Sequence, residues 1–168
     1  KYGHEVGSSA QRVFDLDHGI PSDMTDFWAM RNFITTNNMA VAANYDQARA
    51  LLDTRSFIDH LILKIFAGDD HYAPEYVFWR ARVPQDDGFG DGRWRVMVKD
   101  FDSTLFTSNY VTGLANGSHP RPFGFELFQS LLANPSFRND FINRFADLLN
   151  THFLPARFQS IIHSAYNE

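Results

Sequence analysis

Two aspartates follow an apolar strand pattern near the middle of the chain, in the stretch WRVMVKDFD. With a period of two, Trp94, Val96 and Val98 share one face, and Asp100 and Asp102 continue it if the strand stays extended. Two carboxylates beside a core are unfavourable unless a cation or several hydrogen-bond donors lie between them. Mg²⁺ is one such partner, because it binds carboxylate oxygens together with waters and phosphates. The pattern therefore predicts a metal site at the end of this strand.

The same two aspartates have a simpler interpretation. In it the strand ends at Lys99, the chain turns, and both carboxylates accept hydrogen bonds within a solvated turn. Because the alternation lasts for only a few residues, spacing alone leaves both interpretations open.

A second acidic group follows the most apolar helical pattern and consists of Asp69, Asp70 and, after His71, Glu75. Acids just beyond a helix C-terminus interact unfavourably with the helix dipole, which favours a non-structural reason for their presence. The residues that follow them predict the first strand of a hairpin, and a hairpin brings its two open ends together. We therefore expect Asp70 and Glu75 to lie near Asp100.

Composition and charge exclude several classes of function. The 168 residues are 44% hydrophobic and 21% charged, which is typical of one soluble globular domain. A net charge of −5 argues against a nucleic-acid partner and against attachment to anionic lipid. The chain has no cysteine, which excludes a disulfide framework and a thiolate zinc site. No apolar run approaches the ~20 residues that span a bilayer, so we expect no membrane insertion.

Hydrophobic periodicity predicts a mostly helical α+β fold with one small β-hairpin. Ser22, Asn44 and Asn134 are predicted N-caps, and Gly68 is predicted to end the third helix. The predicted helices lie at residues 21–38, 44–53, 53–68, 123–133, 135–153 and 155–167, and the strands lie at residues 75–83 and 92–102.

The order of four motifs resembles the CotH kinase family, which is named for spore coat protein H. These motifs are SFIDHLILKIFAGDD, VFWRARV, DGRWRVMVKDFDSTLF and LFQSLLANPSFRNDFINRFADLLNTHFLPARF, and the resemblance covers about residues 44–160. It implies an atypical protein kinase with a reduced kinase-like fold, which uses ATP and Mg²⁺ to phosphorylate serine. The implied substrate is a secreted or spore-coat protein, and the implied location is the spore coat or the outside of the cell.

The resemblance also implies roles for individual acids. Asp70 matches the catalytic-loop aspartate, Asp100 takes the metal-binding place, and Asp102 is its partner. Kinase chemistry needs one carboxylate near the attacking hydroxyl and another that holds Mg²⁺ against the phosphates. Glu75 lies near the place where family members carry an asparagine for a second metal ion. The stretch DDHYAPEYV is about one residue shorter than the family's loop, so Asp69 is an alternative match for the catalytic aspartate.

Kinases usually contact the α- and β-phosphates through a lysine of the N-terminal lobe, above which lies a glycine-rich loop. This chain has three lysines, Lys1, Lys64 and Lys99, and no good glycine-rich loop. We therefore expect residues 1–168 to form a single domain, the C-terminal lobe, with the nucleotide-binding lobe upstream. We expect this lobe alone to transfer little phosphate.

Two other functions fit the same residues. The altered stretch DDHYAPE is compatible with a pseudokinase or a coat or surface scaffold that keeps the fold without catalysis. The acids are also compatible with a surface module that binds Ca²⁺ or a glycan. A response to ATP with Mg²⁺, to neither, or to Ca²⁺ alone distinguishes the three.

Overall fold

A computed structural model describes residues 21–68, 76–81, 90–98 and 125–167 of the protein. These residues form six helices and a two-stranded antiparallel sheet, which confirms a mostly helical α+β fold with one small hairpin. The elements are α1 (Pro21–Thr36), α2 (Ala42–Leu51), α3 (Thr54–Ala67), β1 (Tyr76–Trp79), β2 (Arg95–Val98), α4 (Phe125–Leu131), α5 (Pro135–Thr151) and α6 (Pro155–Tyr166).

Both ends of α3 are fixed by local chemistry. The Asp53 carboxylate accepts hydrogen bonds from the backbone N–H groups of Arg55 and Ser56, each at 3.1 Å. Gly68 ends the helix with a φ of 60°, a left-handed conformation that costs glycine little. The helix therefore ends at the predicted glycine, immediately before the acidic stretch that begins at Asp69.

The start of α5 also follows the prediction and joins distant parts of the chain. The Asn134 side chain caps the helix by accepting from the backbone of Ser136 and Phe137, and Pro135 occupies the first turn. Its amide nitrogen donates to the carbonyl of Met39 at 2.9 Å in a buried position. One asparagine thus fixes both the start of α5 and its position against the segment between α1 and α2.

Two predicted N-caps are wrong. Helix α1 begins at Pro21, so Ser22 lies within it, and α2 begins at Ala42 with Val41 as a cap that makes no side-chain hydrogen bond. Asn44 lies inside α2, where its amide donates to the carbonyl of Asn38 at 3.0 Å. Asn44 therefore stabilises the turn that precedes the helix instead of capping its first turn.

The core is built around aromatic rings. The ring of Phe27 lies 4.9 Å from that of Phe78 and 5.5 Å from that of Trp94, so α1 packs directly on the hairpin. Helices α4 and α5 add Leu127 and Phe137 to the same cluster. The hairpin is therefore held by the main core.

In the part of the chain that the structure describes, no helix has the length and apolar character needed to cross a membrane.

Candidate functional site

The register of the hairpin fixes where the predicted acidic segments attach. Tyr76 pairs with Val98 and Trp79 pairs with Arg95 in the antiparallel ladder. The chain therefore enters β1 and leaves β2 at the same end of the ribbon. In the sequence, Glu75 comes one residue before that entry, and Asp100 comes two residues after that exit.

Helix α3 and strand β2 start side by side. The backbones of Leu51 and Asp53 exchange hydrogen bonds with Trp94, both at 2.8 Å. One turn further along, the Ser56 hydroxyl accepts from the Val96 N–H at 3.0 Å and donates to the Val96 carbonyl at 3.3 Å. The two elements therefore advance in the same direction from a common origin, and each is followed in the sequence by a predicted acidic segment.

A buried arginine holds that origin together. The Arg95 guanidinium donates two parallel hydrogen bonds to Asp91, both at 2.9 Å, and its Nε lies 3.1 Å from Oδ2 of Asp53. The Arg95 side chain is only 4% exposed, and its guanidinium carbon Cζ lies 5.7 Å from the ring centroid of Trp79. We call Arg95, Asp53 and Asp91 the arginine clamp. Because Asp53 also caps α3, the clamp joins that helix to β2 at their shared start.

The clamp changes the acidity of Asp91. Desolvation, the largest single effect, raises the pKa of Asp91. Hydrogen bonds from the Arg95 side chain and from the backbone and side chain of Arg93 together outweigh it, and they hold the pKa well below its usual range. Asp91 therefore stays ionised in the folded protein at acidic pH values that protonate it in the unfolded chain.

This depressed pKa predicts how the Asp91→Asn variant responds to pH. A carboxyl group whose pKa is lower in the folded state contributes stability above its unfolded pKa of about 3.9, and loses it as pH falls through the folded pKa. The variant should be less stable than the original protein by a constant amount above about pH 5, and the difference should shrink below about pH 4. Urea unfolding at several pH values measures it, and a difference that grows towards acid contradicts the assignment.

The exposure of β2 departs from the predicted alternation at two positions. Trp94 is buried and Val96 is half-buried, as expected for the core face, but Val98 is 40% exposed. The buried row therefore ends before the strand does. On the other face Arg95 is buried because the two clamp carboxylates cover it, although a period of two places it opposite the apolar face of Trp94 and Val96.

The residues predicted to do chemistry lie outside the described residues. This applies to the catalytic candidate Asp70 and to the metal candidates Glu75, Asp100 and Asp102. Within the described ranges alone, no three His, Asp or Glu side chains are grouped so as to hold a metal ion. The roles of these four acids remain predictions, and the described part of the structure supplies the elements that precede and follow them.

Lys64 lies in the last turn of α3 and is only 2% exposed. The sequence placed it within the apolar helix, and its spacing of three and seven residues from Leu61 and Phe57 puts it on the buried stripe. Burial of an ammonium group is unfavourable unless anionic or acceptor groups surround it. We therefore expect anionic or hydrogen-bond acceptor groups around Lys64 at the C-terminal end of α3.

The sequence does not predict a cleft that lies at the N-terminal end of α3. It has a volume of about 370 Å³ and lies where α2, α3, α5 and the start of β2 meet. No local sequence motif indicates it, because its charged residues come from four separate segments. The lining residues are Arg49, Asp53, Thr54, Arg55, Ile58, Arg93 and Asp140.

A comparison with known protein families identifies a match over the whole chain. A family model described as CotH kinase protein matches residues 1–168, the whole chain and not only the section from about residue 44 to 160. No curated protein and no solved structure matches the chain.

Proposed function

We propose that this chain, which belongs to the CotH kinase protein family, acts in ATP- and Mg²⁺-dependent transfer of phosphate to a serine of a protein substrate. The observation that carries the proposal is the hairpin register, which joins the segments of Glu75 and Asp100 to one end of the ribbon. The family whose model matches the chain has a name that denotes kinase-type chemistry.

The proposal gives each acid a role. Asp70 lies near the attacking hydroxyl and orients it, while Asp100 and Asp102 bind Mg²⁺, with Glu75 available to a second ion. Carboxylate oxygens are the protein ligands that Mg²⁺ prefers, so the residue types fit the ion. When bound, Mg²⁺ neutralises the charge of the phosphates, and the protein contributes position and a fixed electrostatic environment.

Two features of the described residues support a site at this end of the hairpin. Val98 is exposed at the end of β2, so the strand leaves the core just before Asp100 in the sequence. Lys64 is buried in the last turn of α3, six residues before Asp70 in the sequence, and a buried cation needs anionic or acceptor groups around it. An exposed strand end and a buried cation at the ends of the two elements that precede the predicted acids are compatible with a site that binds a nucleotide with its metal ion.

In this proposal the chain is one domain that serves as the C-terminal, metal-binding lobe of a kinase-like fold. The lysine that contacts the α- and β-phosphates belongs to a separate N-terminal lobe. The substrate is a secreted or spore-coat protein, and the site of action is the spore coat or the outside of the cell.

Nucleotide binding gives the first test. ATP with Mg²⁺ at ten times its dissociation constant should stabilise the intact protein by about 1.4 kcal/mol and raise its unfolding midpoint by about 3 °C. ATP with a chelator, and Mg²⁺ alone, should each give a much smaller shift. Differential scanning fluorimetry measures all three.

A second candidate, a scaffold without catalysis, is favoured by one observation: a glutamate, Glu75, stands near the place of the family's metal-binding amide. Compared with an asparagine, a glutamate adds a negative charge and has a longer side chain. In this case the midpoint should respond to neither ATP nor Mg²⁺. Stabilisation by Ca²⁺ alone, without nucleotide, would instead identify a divalent-ion module.

A further inference from the structure

The arginine-lined cleft at the start of α3 carries more positive charge than its surroundings neutralise. Arg49 comes from the last turn of α2, Arg55 from the first turn of α3, and Arg93 from the segment before β2. Asp53 and Asp140 are the carboxylates that line it. Three guanidinium groups therefore face two carboxylates in one open cavity.

Two of these five groups, Arg93 and Asp53, are neutralised by ion pairs in and beside the arginine clamp. Arg93 lies 2.7 Å from Asp91 and 3.5 Å from Asp53, and Arg95 contacts the same two carboxylates. Two cations and two anions thus balance each other. The backbone N–H groups at the start of α3 are also occupied, because Asp53 accepts from two of them. The charge available to a ligand is therefore that of the remaining side chains.

Those remaining side chains are Arg49, Arg55 and Asp140. Arg49 is exposed, its guanidinium lies 5.9 Å from the Tyr45 ring centroid, and within the described residues it forms no ion pair. Arg55 is 60% exposed and approaches Asp59 at 3.5 Å, but Asp59 already accepts two shorter bonds, of 2.6 and 3.2 Å, from Arg144. Two incompletely paired guanidinium groups thus oppose one carboxylate.

We propose that this cleft binds a phosphate group, and that the group is carried by a phosphorylated side chain. A guanidinium is planar and presents a fork of donors that matches two phosphate oxygens, which makes two adjacent arginines a suitable pair of ligands. The volume of about 370 Å³ falls in the range of ~300–1,000 Å³ typical of ligand pockets. It exceeds what a lone phosphate ion fills, so there is room for the residue to which the phosphate is attached. The site does not rest on the proposed kinase activity.

The test is a titration of the intact protein with inorganic phosphate and with a phosphoserine peptide, at constant ionic strength, followed by NMR or calorimetry. The Arg49→Gln variant should weaken binding of both about tenfold, because it removes a charge-assisted donor. Asp140→Asn should strengthen binding about threefold, because it removes the opposing carboxylate. Arg157→Gln, an exposed arginine on α6, is the matched control and should change nothing.

The phosphoserine peptide should bind more tightly than phosphate, and the same peptide with unmodified serine should not bind. Equal weakening by Arg49→Gln and Arg157→Gln, or an absence of saturable binding, overturns the site. Equal affinity for the peptide and for free phosphate overturns the phosphorylated side chain as its ligand. Because the titration measures binding without nucleotide, its failure leaves the proposed phosphoryl transfer untouched.

Discussion

Replacement of Arg95 by Met should lower the free energy of unfolding by about 3 kcal/mol. Arg95 is 4% exposed and is the common partner of Asp53 and Asp91, so its removal leaves two carboxylates near the protein interior without their main cation. Such losses usually cost ~3–5 kcal/mol, and the partial exposure of both aspartates places this one at the lower end. Methionine keeps the packing of the aliphatic stem, which leaves charge as the main variable.

Urea unfolding with an unchanged m-value measures this loss, and the thermal midpoint should fall by roughly 6–12 °C. Arg93→Gln is the matched control, since Arg93 contacts the same two carboxylates from a side chain that is 36% exposed. It should cost no more than about 1 kcal/mol, because Arg95 still covers both acids. Equal losses in the two variants would show that the clamp adds nothing beyond an exposed ion pair.

The parts of the fold that the sequence predicted well depend on short-range chemistry. Gly68 ends α3, and Asn134 with Pro135 starts α5, because each acts on backbone groups within a few residues of itself. The same logic failed for Asn44. Its amide finds the Asn38 carbonyl six residues earlier, so the true start of α2 depends on a turn that its own sequence does not announce.

The burial of Arg95 could not be read from strand alternation, because alternation assigns faces and says nothing of what covers them. The outward face of β2 is covered by Asp53, which is 42 positions earlier in the chain and serves as a helix cap. The arginine-lined cleft could not be predicted from the sequence for the same reason. Arg49, Arg93 and Asp140 come together only when α2, β2 and α5 pack against one another. For the candidate catalytic site, the hairpin and the end of α3 are confirmed, and the roles of the acids remain predictions.

The largest effect on function is expected from Asp100→Asn, which should reduce phosphate transfer to the protein substrate by at least about 10³-fold. The amide keeps the size of the side chain but removes the charge that, in the proposed function, would hold Mg²⁺ against the phosphates. Incorporation of labelled phosphate into the substrate by the intact protein measures the loss. Asp46→Asn, the same change at an exposed position on α2, is the control and should leave transfer unchanged.

A structural explanation for lost transfer is distinguishable from a chemical one by the unfolding midpoint. Asp100→Asn should unfold within about 1 °C of the original protein without ligand, because the amide has nearly the same size and shape as the carboxylate. It should also lose the additional stabilisation that ATP gains from Mg²⁺, because the ion no longer has its carboxylate ligand. Transfer that survives in Asp100→Asn at the original rate would remove this aspartate from the metal site. The proposed phosphate transfer would then need a different carboxylate of the chain as its Mg²⁺ ligand.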